Sequence, residues 1–91
     1  MPSIDIRRKH HLSLKDAKAA VKKTALAIGK KFGIESEWNG DTLNFERPGA
    51  SGRIRVTEKE VHVTADLGFL LGALKPMIEK EIQTHLDKEL A

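Results

Sequence analysis

Three side chains with metal-binding chemistry lie at helical spacing near the carboxyl end of the chain. Glu81, His85 and Glu89 follow one another at intervals of four residues, which would place them on one face of a helix. Carboxylate and imidazole groups bind divalent cations when further side chains orient them. Rows of this kind are also common on solvated helices, and the neighbouring sequence offers no orienting partner. We therefore expect no metal site, no cofactor and no dependence of stability on zinc.

Residue types that carry out covalent chemistry are scarce in this sequence. The chain of 91 residues contains no cysteine, which excludes a thiol nucleophile, a disulfide framework and a cysteine-based zinc site. The serines lack the sequence context of a nucleophile elbow. Residues 49–52 (GASG) superficially match the loop of RNA-binding KH domains, but that loop joins two helices and this one is expected to join two strands. The sequence predicts a protein that acts by binding and is not an enzyme.

Basic residues are concentrated in the first third of the chain. Residues 1–33 contain nine Lys and Arg against Asp5 and Asp16, whereas residues 34–91 contain seven against eleven acids. This asymmetry suggests an anionic partner, such as acidic lipid, nucleic acid or an acidic protein face. The alternative is a basic helix face that is simply solvated.

The first third of the chain has the pattern of a strand followed by a helix. Ser3–Leu12 begins with the alternation of a half-buried strand. Ser13 is a suitable N-cap, and an apolar seam of helical period follows it. These features predict a helix over residues 14–32, ended by Gly33 in the left-handed conformation.

The middle of the chain predicts two hairpins. The first covers residues 34–47 with its turn at Asn39-Gly40, which is a strong turn signal. The second covers residues 53–67 with its turn at residues 57–60, and the turn-rich stretch 47–52 connects the two. The pairs expected across the first turn are Trp38 with Asp41, Ser36 with Leu43, and Ile34 with Phe45.

The last segment is predicted to be helical after a short turn over Gly68–Leu74. Pro76 lacks an N–H group, so we expect the main helix to begin near it. The stripe expected to face the core consists of Met77, Ile78, Ile82, Leu86 and Leu90.

These elements predict a single α+β domain over residues 1–91, in the order β-α-β-β-β-β-α. A content of 40% hydrophobic and 32% charged residues is that of a globular protein. The apolar faces satisfy one another if both helices pack on one face of an antiparallel sheet of about five strands, in two layers. The expected core residues are Ile4, Ile6, Val21, Ile28, Phe45, Ile54, Val56, Val63, Ile78 and Ile82.

The opposite face of the predicted sheet carries candidates for contact with anions. If the first strand lies beside the last one, five basic residues gather there and could hold phosphate or carboxylate groups. They are Arg7, Lys9, Arg53, Arg55 and His62. The alternative is an ordinary solvated face, on which the arginines pair with Glu35, Glu37 and Glu46.

An almost continuous apolar run precedes the last helix. A single turn of helix or loop cannot direct all the large side chains of residues 67–74 toward one core. The candidates for an apolar contact with a partner are Phe69, Leu70, Leu71 and Leu74. The alternative is a tight turn packed over the end of the sheet.

Three stretches that together cover most of the chain carry a family resemblance. They are IDIRRKHHLSLKDAK (4–18), FGIESEWNGDTLNFERPGASGRIRVTEKEVHV (32–63) and LGFLLGALKPMIEKEIQTHLDKEL (67–90). In these stretches the chain resembles the polyhydroxyalkanoic acid (PHA) system protein family, small bacterial proteins encoded beside genes for making and using PHA storage granules. The shared motifs are structural, so the resemblance assigns no catalytic residues to this chain. It implies a biological setting only.

Together with the lack of catalytic motifs, this setting leads to the hypothesis of a non-enzymatic component of the PHA system that associates with the granule surface or a granule protein. In this interpretation the 69–74 segment contacts polymer, a coat protein or a second copy of the chain in a homodimer, and the basic helix face meets acidic groups. One alternative is a small helix-grip-like module that binds an apolar or acyl ligand, and a weaker one is a nucleic-acid-binding regulator. The longest apolar run is about eight residues, against roughly 20 needed to span a bilayer. We therefore expect no transmembrane segment and a cytoplasmic, granule-associated protein.

Overall fold

A computed structural model describes residues 3–90, with the side chains of Phe69 and Leu70 outside the description. The elements in chain order are β1 (Ile4–Lys9), α1 (Leu14–Phe32), β2 (Glu35–Asn39), β3 (Thr42–Arg47), β4 (Ala50–Val56), β5 (Glu60–Leu67), α2 (Phe69–Gly72) and α3 (Lys75–Leu90). The strands form one antiparallel sheet in the order β1-β5-β4-β3-β2. The predicted α+β class, the five strands and the element order are confirmed, with the one-turn α2 as an addition.

The sheet is built around a row of apolar side chains on its inner face, toward α1 and α3. Ile6 lies opposite Val63, Val63 opposite Ile54, and Ile54 opposite Leu43, so the row crosses four strands. All four side chains are buried. The predicted core residues are buried except Phe45, which is half-buried and packs against the core. Strand alternation therefore gave the correct inner face throughout.

The ends of α1 follow from local chemistry. The Oγ of Ser13 accepts a hydrogen bond from the backbone N–H of Asp16 at 3.1 Å, which satisfies one of the free donors of the first turn. At the other end, Gly33 has φ of 67° and its N–H donates to the carbonyl of Gly29. Both predicted boundaries are confirmed.

Ion pairs align α1 with α3. The Nζ of Lys31 lies 2.5 Å from Oε1 of Glu81, and the Nζ of Lys23 lies 3.9 Å from Oε2 of Glu89. Because residue numbers fall along α1 as they rise along α3, the helices run antiparallel. Both cover the inner face of the sheet, as predicted.

The predicted pairing of the first hairpin is wrong by two residues. Trp38 lies opposite Leu43, where Asp41 was expected, and Ser36 lies opposite Phe45, where Leu43 was expected. The turn consists of Gly40 and Asp41, and Ile34 precedes β2. Of the described residues only glycines have positive φ, Gly40 among them at 65°. A type I′ turn over Asn39-Gly40 would require positive φ at Asn39 as well. The two-residue shift leaves every side chain on its predicted face.

Residues 47–52 are not the connection expected from their composition. Arg47 pairs with Ala50, so a tight turn at Pro48-Gly49 joins β3 to β4 and the strand begins at Ala50. Gly49 has φ of 87°, which suits glycine. Gly52 lies opposite Phe45, and a Cβ at Gly52 would come within 2.6 Å of that ring. The glycine lets the aromatic side chain lie across the strand.

The last helix begins close to Pro76, as predicted, with Lys75 as its first residue. Ile78, Ile82 and Leu86 are buried and Leu90 is half-buried. Met77 was expected in this stripe but is 48% exposed. One residue is a rotation of about 100° around a helix, so Met77 cannot share the face centred on Ile78 and Ile82.

Candidate functional site

The outer face of the sheet brings three of the predicted basic residues into one row. Arg7 of β1 lies opposite His62 of β5, which in turn lies opposite Arg55 of β4. Arg53 is on the same face two residues from Arg55, and Lys9 is two residues from Arg7. Directly opposed residues have Cβ atoms about 5 Å apart, so the predicted gathering depends on β1 lying beside β5.

Two members of this basic row have acidic partners. The Nη1 of Arg7 lies 3.1 Å from Oε1 of Glu60, and the Nε2 of His62 lies 2.6 Å from Oδ1 of Asp5. These pairs reduce the local positive charge. Of the five predicted basic residues, three have no carboxylate within 4.0 Å among residues 3–90. They are Lys9, Arg53 and Arg55.

Acidic side chains occupy the opposite end of the same face. Glu35 lies opposite Glu46, and Glu37 lies across from Arg53 with Asn44 between them. In the described part of the chain, none of these glutamates lies within 4.0 Å of an arginine, so the alternative pairing is not observed there. The face is therefore polarised. Its basic end offers Arg53 and Arg55 as donors for an exposed phosphate or carboxylate.

The 69–74 segment lies over the end of the sheet at the β3–β4 turn. The N–H of Gly68 donates to the carbonyl of Gly49 at 2.6 Å, and the N–H of Gly72 donates to the carbonyl of Gly68 at 2.8 Å. Leu71 and Leu74 are half-buried, and Leu74 packs against the core. The predicted contact residues Phe69 and Leu70 lie outside the described side chains.

An apolar cavity of about 40 Å³ lies between the helices and the inner face of the sheet. Its walls include Ile28 of α1, Phe45 of β3 and Ile78 of α3, and Leu71 contributes from α2. Cavities that bind small molecules typically measure about 300–1,000 Å³. This cavity does not accommodate an acyl chain in the present conformation. Displacement of α2 would remove the Leu71 side chain from its wall and widen it.

Both glutamates of the row considered for a metal form ion pairs with lysines of α1. Glu81 accepts a hydrogen bond from Lys31, and His85 Nε2 lies 3.5 Å from Oε2 of Glu81. The hydrogen bond from Lys31 holds the pKa of the Glu81 carboxyl below its ordinary value. Glu89 faces Lys23. Residues 3–90 contain no group of three His, Asp or Glu side chains placed to hold a metal ion.

The sequence predicted a basic face on α1 but not the exposed apolar side chain within it. Leu26 of α1 is 52% exposed, although it is a large aliphatic residue. It lies between Lys22 and Lys30, four residues from each, so the three share one helix face. The signal was present in the sequence, because Leu26 falls outside the apolar seam. Across the described chain, no helix has the length and apolar character needed to cross a membrane.

The chain was compared with known families, proteins and structures. A family model described as "Putative polyhydroxyalkanoic acid system protein" matches residues 4–90. The comparisons with curated proteins and with solved structures gave no match. The match covers nearly the whole chain and confirms the family resemblance found in the sequence.

Proposed function

Because the chain belongs to the polyhydroxyalkanoic acid system protein family, we propose that it is a non-enzymatic component of the PHA storage system. It associates with the surface of the storage granule, or with a protein on that surface, through the 69–74 segment. The family supports the setting, and the position of this segment over the end of the sheet supports its choice as the contact.

The observation that carries the proposal is how α2 meets the core. Leu71 and Leu74 are half-buried, three residues apart, and both approach the inner side of the molecule. With Phe69 and Leu70, the segment contains four large apolar residues within six positions of the sequence. A short stretch of this composition is suited to an apolar contact with a partner.

Fractionation of polymer-producing cells tests this proposal. We expect the protein to sediment with the granules, and to leave that fraction in matched cells that make no polymer. The second culture is the control for aggregation, because an aggregate sediments without granules. Equal sedimentation in both cultures, or none in either, contradicts granule association.

A second candidate function is the binding of an apolar or acyl ligand in the cavity beneath α2. The observation in its favour is the apolar lining of that cavity, which Leu71 helps to close. A medium-chain fatty acid should then raise the melting temperature, since a ligand that binds only the folded state stabilises it. Leu71→Ala, which enlarges the cavity, should increase this shift. Absence of any shift in both proteins excludes this function for that ligand.

A third candidate, binding of nucleic acid, draws on the basic end of the sheet face. Within residues 3–90, its donors without a carboxylate in reach are Lys9, Arg53 and Arg55, since Arg7 and His62 have acidic partners. A regulator of this kind should bind duplex DNA with an affinity that falls steeply as salt rises. Lack of such binding at low salt excludes it.

A further inference from the structure

The outward face of the helix layer, formed by the exposed sides of α1 and α3, carries lysines without acidic partners. The helix turns once in 3.6 residues, so positions 15, 22, 26 and 30 of α1 point away from the core together. All four are exposed, as are Lys80 and Lys88 of α3. The lysines of this face with no carboxylate within 4.0 Å in the described chain are Lys15, Lys22, Lys30, Lys80 and Lys88.

The charges of the other lysines of α1 are balanced by carboxylates of the same chain. Lys18 lies 3.2 Å from Asp41 of the β2–β3 turn, and Lys23 and Lys31 face glutamates of α3. Within residues 3–90, ion pairing thus divides the lysines of α1 into an inward set that joins elements of the fold and an outward set that does not. The positive charge of the outward set is available to attract an anionic partner.

The carboxylates of the two helices do not neutralise this face. Of those in the described chain, four have a cation within 4.0 Å: Glu79 with Lys75, Glu81 with Lys31, Asp87 with Arg8, and Glu89 with Lys23. Asp16 lies in the first turn of α1, where the helix dipole favours a negative charge. The outward face of the helix layer therefore carries a net positive charge.

Two apolar side chains stand among these lysines. Leu26 is 52% exposed and Met77 is 48% exposed. They lie on different helices and do not form a continuous apolar patch. A protein partner is usually held by a compact cluster of anchors seated in a pocket. Dispersed lysines with separate apolar side chains fit a flat anionic surface, where lysines meet headgroups and apolar side chains enter the interface.

We infer that the outward face of the helix layer docks on an anionic lipid surface. Lys22 and Lys30 contact lipid phosphates, and Leu26 between them inserts at the level of the headgroups. The contact is peripheral and electrostatic. It uses residues outside the 69–74 segment, so lipid docking and granule association can fail independently.

Sedimentation with lipid vesicles tests this inference on the full chain. We expect binding to vesicles of phosphatidylcholine with phosphatidylglycerol and much weaker binding to phosphatidylcholine alone. Raising sodium chloride from about 0.05 to about 0.5 M should release the protein, because the Debye length shortens. Lys22→Gln and Lys30→Gln should each lower the partition coefficient about fivefold. Leu26→Ser should lower it as well, with an unchanged urea midpoint.

The matched control is Lys59→Gln, which removes the same charge from the exposed turn between β4 and β5. It should bind vesicles like the wild type. An equal loss with Lys59→Gln would show that only net charge matters and would overturn the inference. Equal binding to both kinds of vesicle, or no binding to either, would do the same. Binding to poly-glutamate that depends on Lys22, without binding to vesicles, would assign the face to an acidic protein.

Discussion

The two faces of the sheet are built on the same strands and the same backbone hydrogen bonds, yet their side chains differ in role. On the inner face Ile54 and Val63 lie opposite each other and are 4% and 0% exposed. The next residue along β4, Arg55, lies on the outer face, is exposed and has no acidic partner in the described chain. The inner face is occupied by the helices, whereas the outer face meets solvent.

This difference separates the residues that stabilise the fold from those available to a partner. Buried apolar rows account for stability, because burial of such side chains is the main favourable contribution to folding. Charges that the fold leaves without partners, such as Arg53 and Lys22, add little to stability. They remain available for contact with a partner. Substitutions at neighbouring positions should therefore have very different effects.

The largest effect on folding is expected at the inner row. Ile54→Ala should lower the free energy of unfolding by about 1–4 kcal/mol, because it removes buried methyl groups and leaves a cavity. Arg55→Ala, one residue away, should change it by less than about 0.5 kcal/mol. Urea denaturation of the two variants measures both. Similar losses at the two positions would contradict the assignment of the strand faces.

Gly52 tests whether the inner face tolerates more volume. A Cβ at this position would lie 2.4 Å from the carbonyl oxygen of Thr64 and 2.6 Å from the Phe45 ring. Gly52→Ala should therefore cost about 1–3 kcal/mol, as overpacked substitutions do. Ser51→Ala on the outer face is the control and should be nearly neutral. A stabilised Gly52→Ala variant would show that Phe45 does not lie across β4.

A smaller, pH-dependent effect is expected at the interface of the helices. The hydrogen bond from Lys31 lowers the pKa of the Glu81 carboxyl in the folded protein below its ordinary value. The carboxylate thus contributes stability above its unfolded pKa, and that contribution is lost as pH falls through the lower folded value. Glu81→Gln should be less stable than the wild type at neutral pH and equal to it in strong acid. Lys31→Met should reduce this pH-dependent difference, since Lys31 is the main cause of the lowered pKa. A difference between the wild type and Glu81→Gln that grows in acid would contradict the account.

Elements with a local chemical signal could be predicted from the sequence. Ser13 and Gly33 define the ends of α1 because capping depends on only a few neighbouring residues. The inner faces of the strands followed from alternation alone. The basic row could also be predicted once β1 was placed beside β5, because that antiparallel pairing puts Arg7 opposite His62.

Features that depend on a choice between equivalent pairings could not be predicted. Two registers of the β2–β3 hairpin differ by two residues and present the same faces, so the apolar pattern does not distinguish them. The strand character of residues 50–52 comes from pairing with β5 and from the Phe45 ring over Gly52, which is tertiary information. Likewise, which lysines of α1 remain unpaired depends on where α3 packs.

Binding of purified protein to isolated PHA granules tests the central claim most directly. We predict that Phe69→Ser/Leu70→Ser lowers the amount that cosediments with granules by 10-fold or more, since burial of one such side chain contributes about 1.5–3 kcal/mol. Its urea midpoint should stay close to that of the wild type. Ile82→Val, a trimmed core residue, is the control and should lose some stability but bind fully. Unchanged binding of the double variant, or its unfolding, would contradict the claim that the 69–74 segment is the contact.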